Sequence, residues 1–229
     1  MEYGTDHALA AAYLPRLFYD KAEPFSLQGI GYTVYRSTAQ SPSCRRVIEA
    51  PEKGVAIEYA FYFDFDIQHL YDLEHSFVYL DGEGTVTGVE SSFHGWFLNS
   101  MIEQVLRFED GHPVLYVQPG KHALLPSPDY FKLLLDRNTA CRETAGKDGF
   151  LVMPMFEGRL STDPETDRRV ETFIREKYAF TPSWEFGPES PNGGQAETLL
   201  MPWQELDRRI VERLSIWKDA INRCNFDRI

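Results

Sequence analysis

The 229-residue sequence is short of three things. It has only three cysteines, Cys44, Cys141 and Cys224, odd in number and widely separated, which argues against a disulfide framework and fits reduced thiols. It is poor in positive charge: 23 Lys and Arg stand against 35 Asp and Glu, a formal net charge of −12. Phosphate and anionic lipid are held by clustered Lys and Arg, so this balance argues against nucleic acid and against a polybasic membrane patch. Apolar runs are short, none approaching the roughly 18 residues of a membrane-spanning helix. The stretch 8–14 is stopped by Pro15, and the opening Met1-Glu2-Tyr3-Gly4-Thr5-Asp6 lacks the basic start of a secretory leader. A cytoplasmic location is therefore expected. Internal repeats, low-complexity tracts and an evident interdomain linker are also missing, as are H-E-x-x-H, a phosphate-binding Walker loop and a G-x-S-x-G elbow. The glycines of 149–159 and of Pro191-Asn192-Gly193-Gly194 read as turns.

What is present is the composition of a globular chain, 43% hydrophobic and 25% charged. A single domain over 1–229 is expected, large enough to bury roughly 70% of its unfolded surface without staples. The first two-thirds reads as extended. Strands are expected over 30–35, 55–65, 73–80, 85–93 and 113–118, from their aromatic and β-branched content and their bounding turns. Asp81-Gly82-Glu83-Gly84 marks a hairpin, and Pro119-Gly120 marks a type II turn. A short helical patch is expected over 8–13, and 18–25 reads as irregular. Later, Ser127-Pro128-Asp129 and Asp163-Pro164-Glu165 each place a cap and an N1 proline before a helix. Residues 179–195, rich in Pro and Gly, read as a long loop. Pro202 opens the clearest helix, with Trp203, Leu206, Ile210, Leu214, Trp217 and Ile221 on one face. The expected class is α+β: an antiparallel β-sandwich core with peripheral helices and a long C-terminal amphipathic helix.

Five of the six histidines fall between His69 and His122, where even spacing would place one or two. The densest string, 64–75, carries Asp64, Asp66, Asp72, Glu74, His69 and His75. On a strand, Asp72 and Glu74 share one face and His75 points to the other. With Gly82-Glu83-Gly84 as a three-residue loop, Asp72 would lie opposite His94 and Glu74 opposite Ser92, roughly 5 Å apart at Cβ. A one-residue slip would turn His94 away. His122, just past the Pro119-Gly120 turn, would project from a loop over the sheet's end. The candidate metal ligands are thus Asp66, His69, Asp72, Glu74, His94 and His122. Mixed imidazole and carboxylate sets suit zinc, manganese or iron, and all-oxygen sets suit calcium or magnesium, so the identity of the divalent ion stays open. Each residue taken singly also fits a plainer role: His75 and His112 as hydrogen-bonded structural histidines, Asp64 and Asp66 as solvated edge residues.

Tyr59-Ala60-Phe61-Tyr62-Phe63-Asp64-Phe65-Asp66, followed by His69-x-x-Asp72-x-Glu74, resembles the necrosis-inducing-protein family, with its aromatic Y-A-W-Y-F strand and G-H-R-H-D-W-E heptapeptide. The H-x-x-D-x-E pattern is kept at His69, Asp72 and Glu74, and the family's upstream aspartate corresponds to Asp66. His112-Pro113-Val114-Leu115-Tyr116 with His122 is similar to a later family segment. Asp72-Leu73-Glu74-His75 and Gly120-Lys121-His122-Ala123 also resemble a related vacuolar-sorting family with D-W-E-H and G-S-H-A motifs. Leu70, Tyr71 and Leu73 replace the heptapeptide's polar and tryptophan positions, as in a divergent, non-secreted, bacterial-type member. The resemblance, over residues 59–126, implies a β-sandwich holding a divalent cation at one end.

Three functions compete. In a metal-dependent hydrolase the cation would lower the pKa of a bound water, with Glu74 or His75 as general base. In a binding module the cation would clamp a glycan or lipid headgroup or another small molecule, with Trp96, Phe97, Tyr116 and Trp184 as an aromatic platform. In a structural reading the cluster only pins the sheet edge.

Overall fold

The computed structural model describes residues 2–188 and 196–223. Cys224 and the Pro191-Asn192-Gly193-Gly194 turn lie outside the described residues. Helix α1 (Glu2–Ala12) leads into strands β1 (Arg16–Asp20) and β2 (Leu27–Tyr35). A small hairpin, β3 (Ala39–Gln40) and β4 (Val47–Ile48), precedes the long strands β5 (Val55–Asp66), β6 (His69–Leu80) and β7 (Val86–Phe93). Then come β8 (Trp96–Asn99), β9 (Phe108–Glu109), β10 (His112–Val117), β11 (Leu124–Leu125) and β12 (Gly149–Phe150). Helix α2 (Pro164–Tyr178), β13 (Phe186–Gly187), β14 (Leu200–Pro202) and α3 (Trp203–Arg223) complete the chain. The fold is α+β with a sandwich-like core.

Strand β5 explains the layering. Its sequence alternates aromatic with small or aliphatic residues, and every residue after Val55 is buried, so it must be covered on both faces. It lies in the main sheet, ordered β14-β2-β5-β6-β7-β8. Pairing with β6 puts Phe61, Phe63, Glu74 and Asp72 on one face and Glu58, Ala60, Phe77 and His75 on the other. The second sheet, β11-β10-β1-β13, covers the first of these faces. The opposite face is covered by α3 over β2 and by the β3–β4 loop. One continuous hydrophobic core runs from Ala10 to Ile221.

The ladder from β2 to β8 is antiparallel, but three further pairings are parallel: β1 with β10, β12 with β6 and β14 with β2. Strand β1, which includes residues 18–20, expected to be irregular, forms because β10 supplies a partner almost 100 positions away (Arg16↔Val114). A strand of five residues broken by Asp20 and Lys21 has too little alternation to be seen locally. The 128–133 segment closes as a 3₁₀ turn, capped by Ser127. Phe131 is buried, but Leu133 at the end of the turn and Leu135 beyond it are 77% and 103% exposed, so no continuous apolar face is buried that would propagate a helix. The Asp163 cap forms as expected, accepting from the backbone N–H groups of Glu165 and Thr166.

Helix α3 buries Trp203, Leu206, Ile210, Leu214 and Ile221. Its approach to β2 requires glycine: a Cβ on Gly31 would stand 2.9 Å from Leu206 Cδ2 and 3.0 Å from Trp203 Cε3. Leu206, 1% exposed, fills that contact. Leu206→Ala is expected to destabilise the fold by about 2–5 kcal/mol, measured by urea unfolding. A loss below ~1 kcal/mol would show that α3 is not docked on β2 in this way.

Candidate functional site

Strands β5 and β6 are joined by a tight turn at Ile67 and Gln68, which sets Asp66 opposite His69. The backbone N–H of Gln68 donates to Asp66 Oδ1 at 2.6 Å. His69 donates Nδ1–H to the Tyr71 carbonyl at 2.6 Å, which turns Nε2 toward Asp66, 3.9 Å away. The Gln118-Pro119-Gly120-Lys121 turn docks on this hairpin end. Gly120 has φ +67°, the position a type II turn reserves for glycine, and the Lys121 N–H closes the turn on the Gln118 carbonyl at 3.2 Å. The Gly120 carbonyl accepts from Ile67 N–H at 2.6 Å, and its N–H donates to Glu23 Oε2 at 2.7 Å.

That docking delivers two cations. Lys121 Nζ lies 3.1 Å from Asp66 Oδ2 and 2.7 Å from Gln68 Oε1. His122 is fully buried, its ring stacked on Phe63 with centroids 3.8 Å apart. Its Nδ1 donates to Asp72 Oδ2 at 2.7 Å, and its Nε2 faces Glu23 Oε1 at 3.5 Å. Glu74, buried on the same face, accepts a short hydrogen bond from Ser92 Oγ. Burial opposes charge on His122, but the Asp72 and Glu23 carboxylates prevail and raise its pKa to about 10. Burial, then the charge of Asp72, pushes the Glu74 carboxyl well up. Burial also works against the Asp66 charge, yet His69, Lys121 and the Gln68 N–H hold its carboxyl below the ordinary range.

His94 sits elsewhere than the hairpin arithmetic placed it. Asp81 and Thr85 do bond across the turn, and Leu80 pairs with Val86, but Tyr79 pairs with Gly88. Thr87 is an extra residue in β7, a bulge that shifts every later pair by one. The ladder ends at Ser76↔Ser91, and the next residue, Ser92, donates its hydroxyl to Glu74 and accepts from the His75 backbone N–H at 2.6 Å. His94, in the β7–β8 turn, donates Nε2–H to Gln118 Oε1 at 2.9 Å. Burial and nearby Lys121 lower its pKa. Of the six candidates, Asp66 and His69 thus gather at the hairpin end, with His94 tied to the facing Gln118. Asp72, Glu74 and His122 lie deeper. Asp64 is buried and paired with Arg213, at 2.8 Å from Nε, and His112 bonds the Leu14 carbonyl at 2.8 Å. Neither joins the cluster. Glu23 and Lys121 do, unforeseen; the lysine inside a turn leading to His122 was the available signal.

His75 points to the opposite face, as strand alternation requires, and meets a second group. Its Nε2 lies 2.8 Å from Ser43 Oγ and 3.9 Å from Glu58 Oε1. Glu58, 1% exposed, accepts from Tyr35, Ser41 and Ser43 hydroxyls, and Cys44 Sγ is 3.8 Å from its Oε1. Ligand atoms of Cys44, Glu58 and His75 all lie within 4.8 Å of one another, a set that could hold a metal ion. Burial lowers the His75 pKa and raises that of Cys44 to about 11. The signal for this group was Glu58 itself, a lone charge inside an apolar run.

No family model matches the chain, and no curated protein matches it. Similarity to solved structures is confined to half of the chain. The crystal structure of Necrosis and Ethylene inducing Protein 2, from the causal agent of cocoa's Witches Broom disease, is 21% identical over 51% of this chain and 66% of its own, with a TM-score of 0.36. NLPPya in complex with glucosamine is 18% identical over 51% of this chain and 64% of its own, with a TM-score of 0.35. NLPPya in complex with mannosamine is 20% identical, with the same coverage and TM-score. This chain therefore spans just under two-thirds of each of these neighbours.

Because the folded pKa of His122 lies above its ordinary 6.5, its stabilising contribution is complete below about pH 6.5 and is lost as pH rises through about 10. His122→Gln is expected to cost about 3–5 kcal/mol at neutral pH, since Asp72 and Glu23 lose their cation. It should also flatten the decline of the urea midpoint between pH 6.5 and 10. Equal pH slopes in the two proteins would show that His122 is not the buried cation.

Proposed function

We propose that this chain is a divalent-cation-binding module whose cation is held by Asp66, His69, Asp72 and Glu74 at the end of the sandwich and engages a glycan-type ligand. The observation that carries the reading is a charge count. Four carboxylates, Asp66 at the hairpin end and Glu23, Asp72 and Glu74 deeper, are buried beside two cations, Lys121 and His122. Burial and the Asp72 charge push the Glu74 carboxyl toward its protonated form; a divalent ion would supply the charge that lets all four acids ionise. Three oxygen donors and one imidazole suit a hard or borderline cation such as calcium, magnesium, manganese or zinc. The ion would draw the four side chains together, since among the described residues only Cys44, Glu58 and His75 already lie within mutual ligand reach. His122 would then orient Asp72 from behind, as outer partners orient metal ligands.

Binding is favoured over hydrolysis by the position of the bases. His75 lies across the sheet, engaged by Ser43, and Glu74 is itself a proposed ligand tied to Ser92. At the rim, the turn that carries His94 also carries Trp96, 74% exposed, a surface on which a sugar ring can stack.

Titration of the purified protein with each cation, followed by calorimetry and thermal unfolding, tests this. A cation at 100 times its Kd should add about 2.7 kcal/mol of stability. Asp72→Asn and Glu74→Gln should abolish the gain from calcium, magnesium or manganese, whereas Lys121→Gln, which removes a competing charge beside Asp66, should tighten binding. On a glycan array, capture should disappear with chelator. No uptake of any cation would defeat the reading; turnover of a glycoside or ester with the cation bound would replace it with the hydrolase.

A further inference from the structure

We infer that Cys44, Glu58 and His75 form a second metal site, on the opposite face of the main sheet, selective for a thiophilic divalent ion such as zinc. It is independent of the cation proposed above. Three separate elements converge there: the β3–β4 loop brings Cys44, β5 brings Glu58, and β6 brings His75. Zinc at about 2.3 Å from sulfur and about 2.0–2.1 Å from nitrogen or oxygen sets tetrahedral ligand atoms roughly 3.3–3.5 Å apart. Here Sγ of Cys44 is 3.8 Å, and Nε2 of His75 is 3.9 Å, from Oε1 of Glu58. These two separations need close by only about half an ångström, and the third, between the ligand atoms of Cys44 and His75, is within 4.8 Å.

The surroundings fit a ligated carboxylate better than a structural one. Glu58 is among the most deeply buried charges of the protein, and among the described residues its ion-pair partner is His75 alone. Arg46, two residues after Cys44, is committed to Glu90 at 2.5 Å. Tyr35 donates to Oε2 of Glu58, the outer hydrogen bond that ligating carboxylates carry. Oε1, which faces Cys44 and His75, accepts from the Ser41 and Ser43 hydroxyls, and a bound ion would take the place of the Ser43 bond. Ser43 Oγ, 2.8 Å from Nε2 of His75, stands between the ligands and either turns aside or serves as the fourth donor. The exchange balances simply. The Cys44 S–H bond breaks, its proton passes to solvent, and the thiolate, the carboxylate and the Nε2 lone pair bond the ion with no change of oxidation state.

Cobalt(II) titration of the full chain tests the site, because a thiolate ligand gives a charge-transfer absorption that oxygen and nitrogen ligands do not. The band should grow to one equivalent, release one thiol proton per ion in weak buffer, and be displaced by zinc. Cys44→Ser should abolish it while circular dichroism stays native. The Cys141→Ser/Cys224→Ser double variant and Glu74→Gln should keep it, which separates this site from the one beside Asp72. Tyr35→Phe, touching only the outer hydrogen bond, should weaken zinc affinity by about 10–100-fold and retain the band. Absence of the band in the native protein, or its persistence in Cys44→Ser, would overturn the assignment.

Discussion

The contact between His122 and Asp72 fixes how the two sheets meet. His122 leaves the β10–β11 connection, crosses the inter-sheet space, stacks on Phe63 of β5 and donates to Asp72 of β6. Its far edge faces Glu23, which follows β1 and also holds the Gly120 N–H. One imidazolium thus touches chain segments near residues 23, 63, 72 and 122. An uncompensated buried charge is expensive, while a paired one about breaks even against a hydrophobic substitute. The clamp therefore contributes less to net stability than to specificity, since any other docking of the second sheet leaves both carboxylates bare.

The same strand that carries Asp72 separates two chemistries. Glu74 and His75 are adjacent in sequence, yet period-two alternation sends them to opposite faces of β6. Glu74 joins an oxygen-rich, acidic layer with Lys121 and His122 as its cations. His75 joins a layer of hydroxyls with one thiol and one carboxylate. Each layer is completed by a loop from elsewhere, 118–122 on one face and 41–46 on the other. Only the main sheet is common to both, so changes in one loop leave the other's donors in place.

The sequence was most readable where structure is local. Strands β5 and β7, helix α3, the Asp163 cap and the Pro119-Gly120 turn follow from periodicity and turn chemistry, and the separation of Asp72 and Glu74 from His75 follows from alternation alone. Legibility failed where the decisive partner is distant or the irregularity small. Strand β1 exists because β10 pairs with it. Glu23 reaches the cluster because a turn residue 97 positions away bonds it. His94 left the expected register because of one extra residue, Thr87, in an otherwise regular hairpin. Neither the composition nor the turn of that hairpin announces the bulge, because the residues at its closed end pair as a simple three-residue loop would have them.

That bulge has a consequence for the site. Without it, the register set at Leu80 and Val86 would place Ser92 opposite Glu74 and leave the His75 N–H to another acceptor. With it, the ladder ends at Ser76↔Ser91, and the Ser92 hydroxyl takes the His75 N–H while giving its own proton to Glu74. A single serine thus ties the backbone of one face to the carboxylate of the other. A register slip in β6 would exchange the faces of all these groups, carrying Asp72 away from His122 and His75 away from Glu58. The buried aromatics of β5, which must meet apolar neighbours on both sides, make that slip costly and so hold both clusters in place.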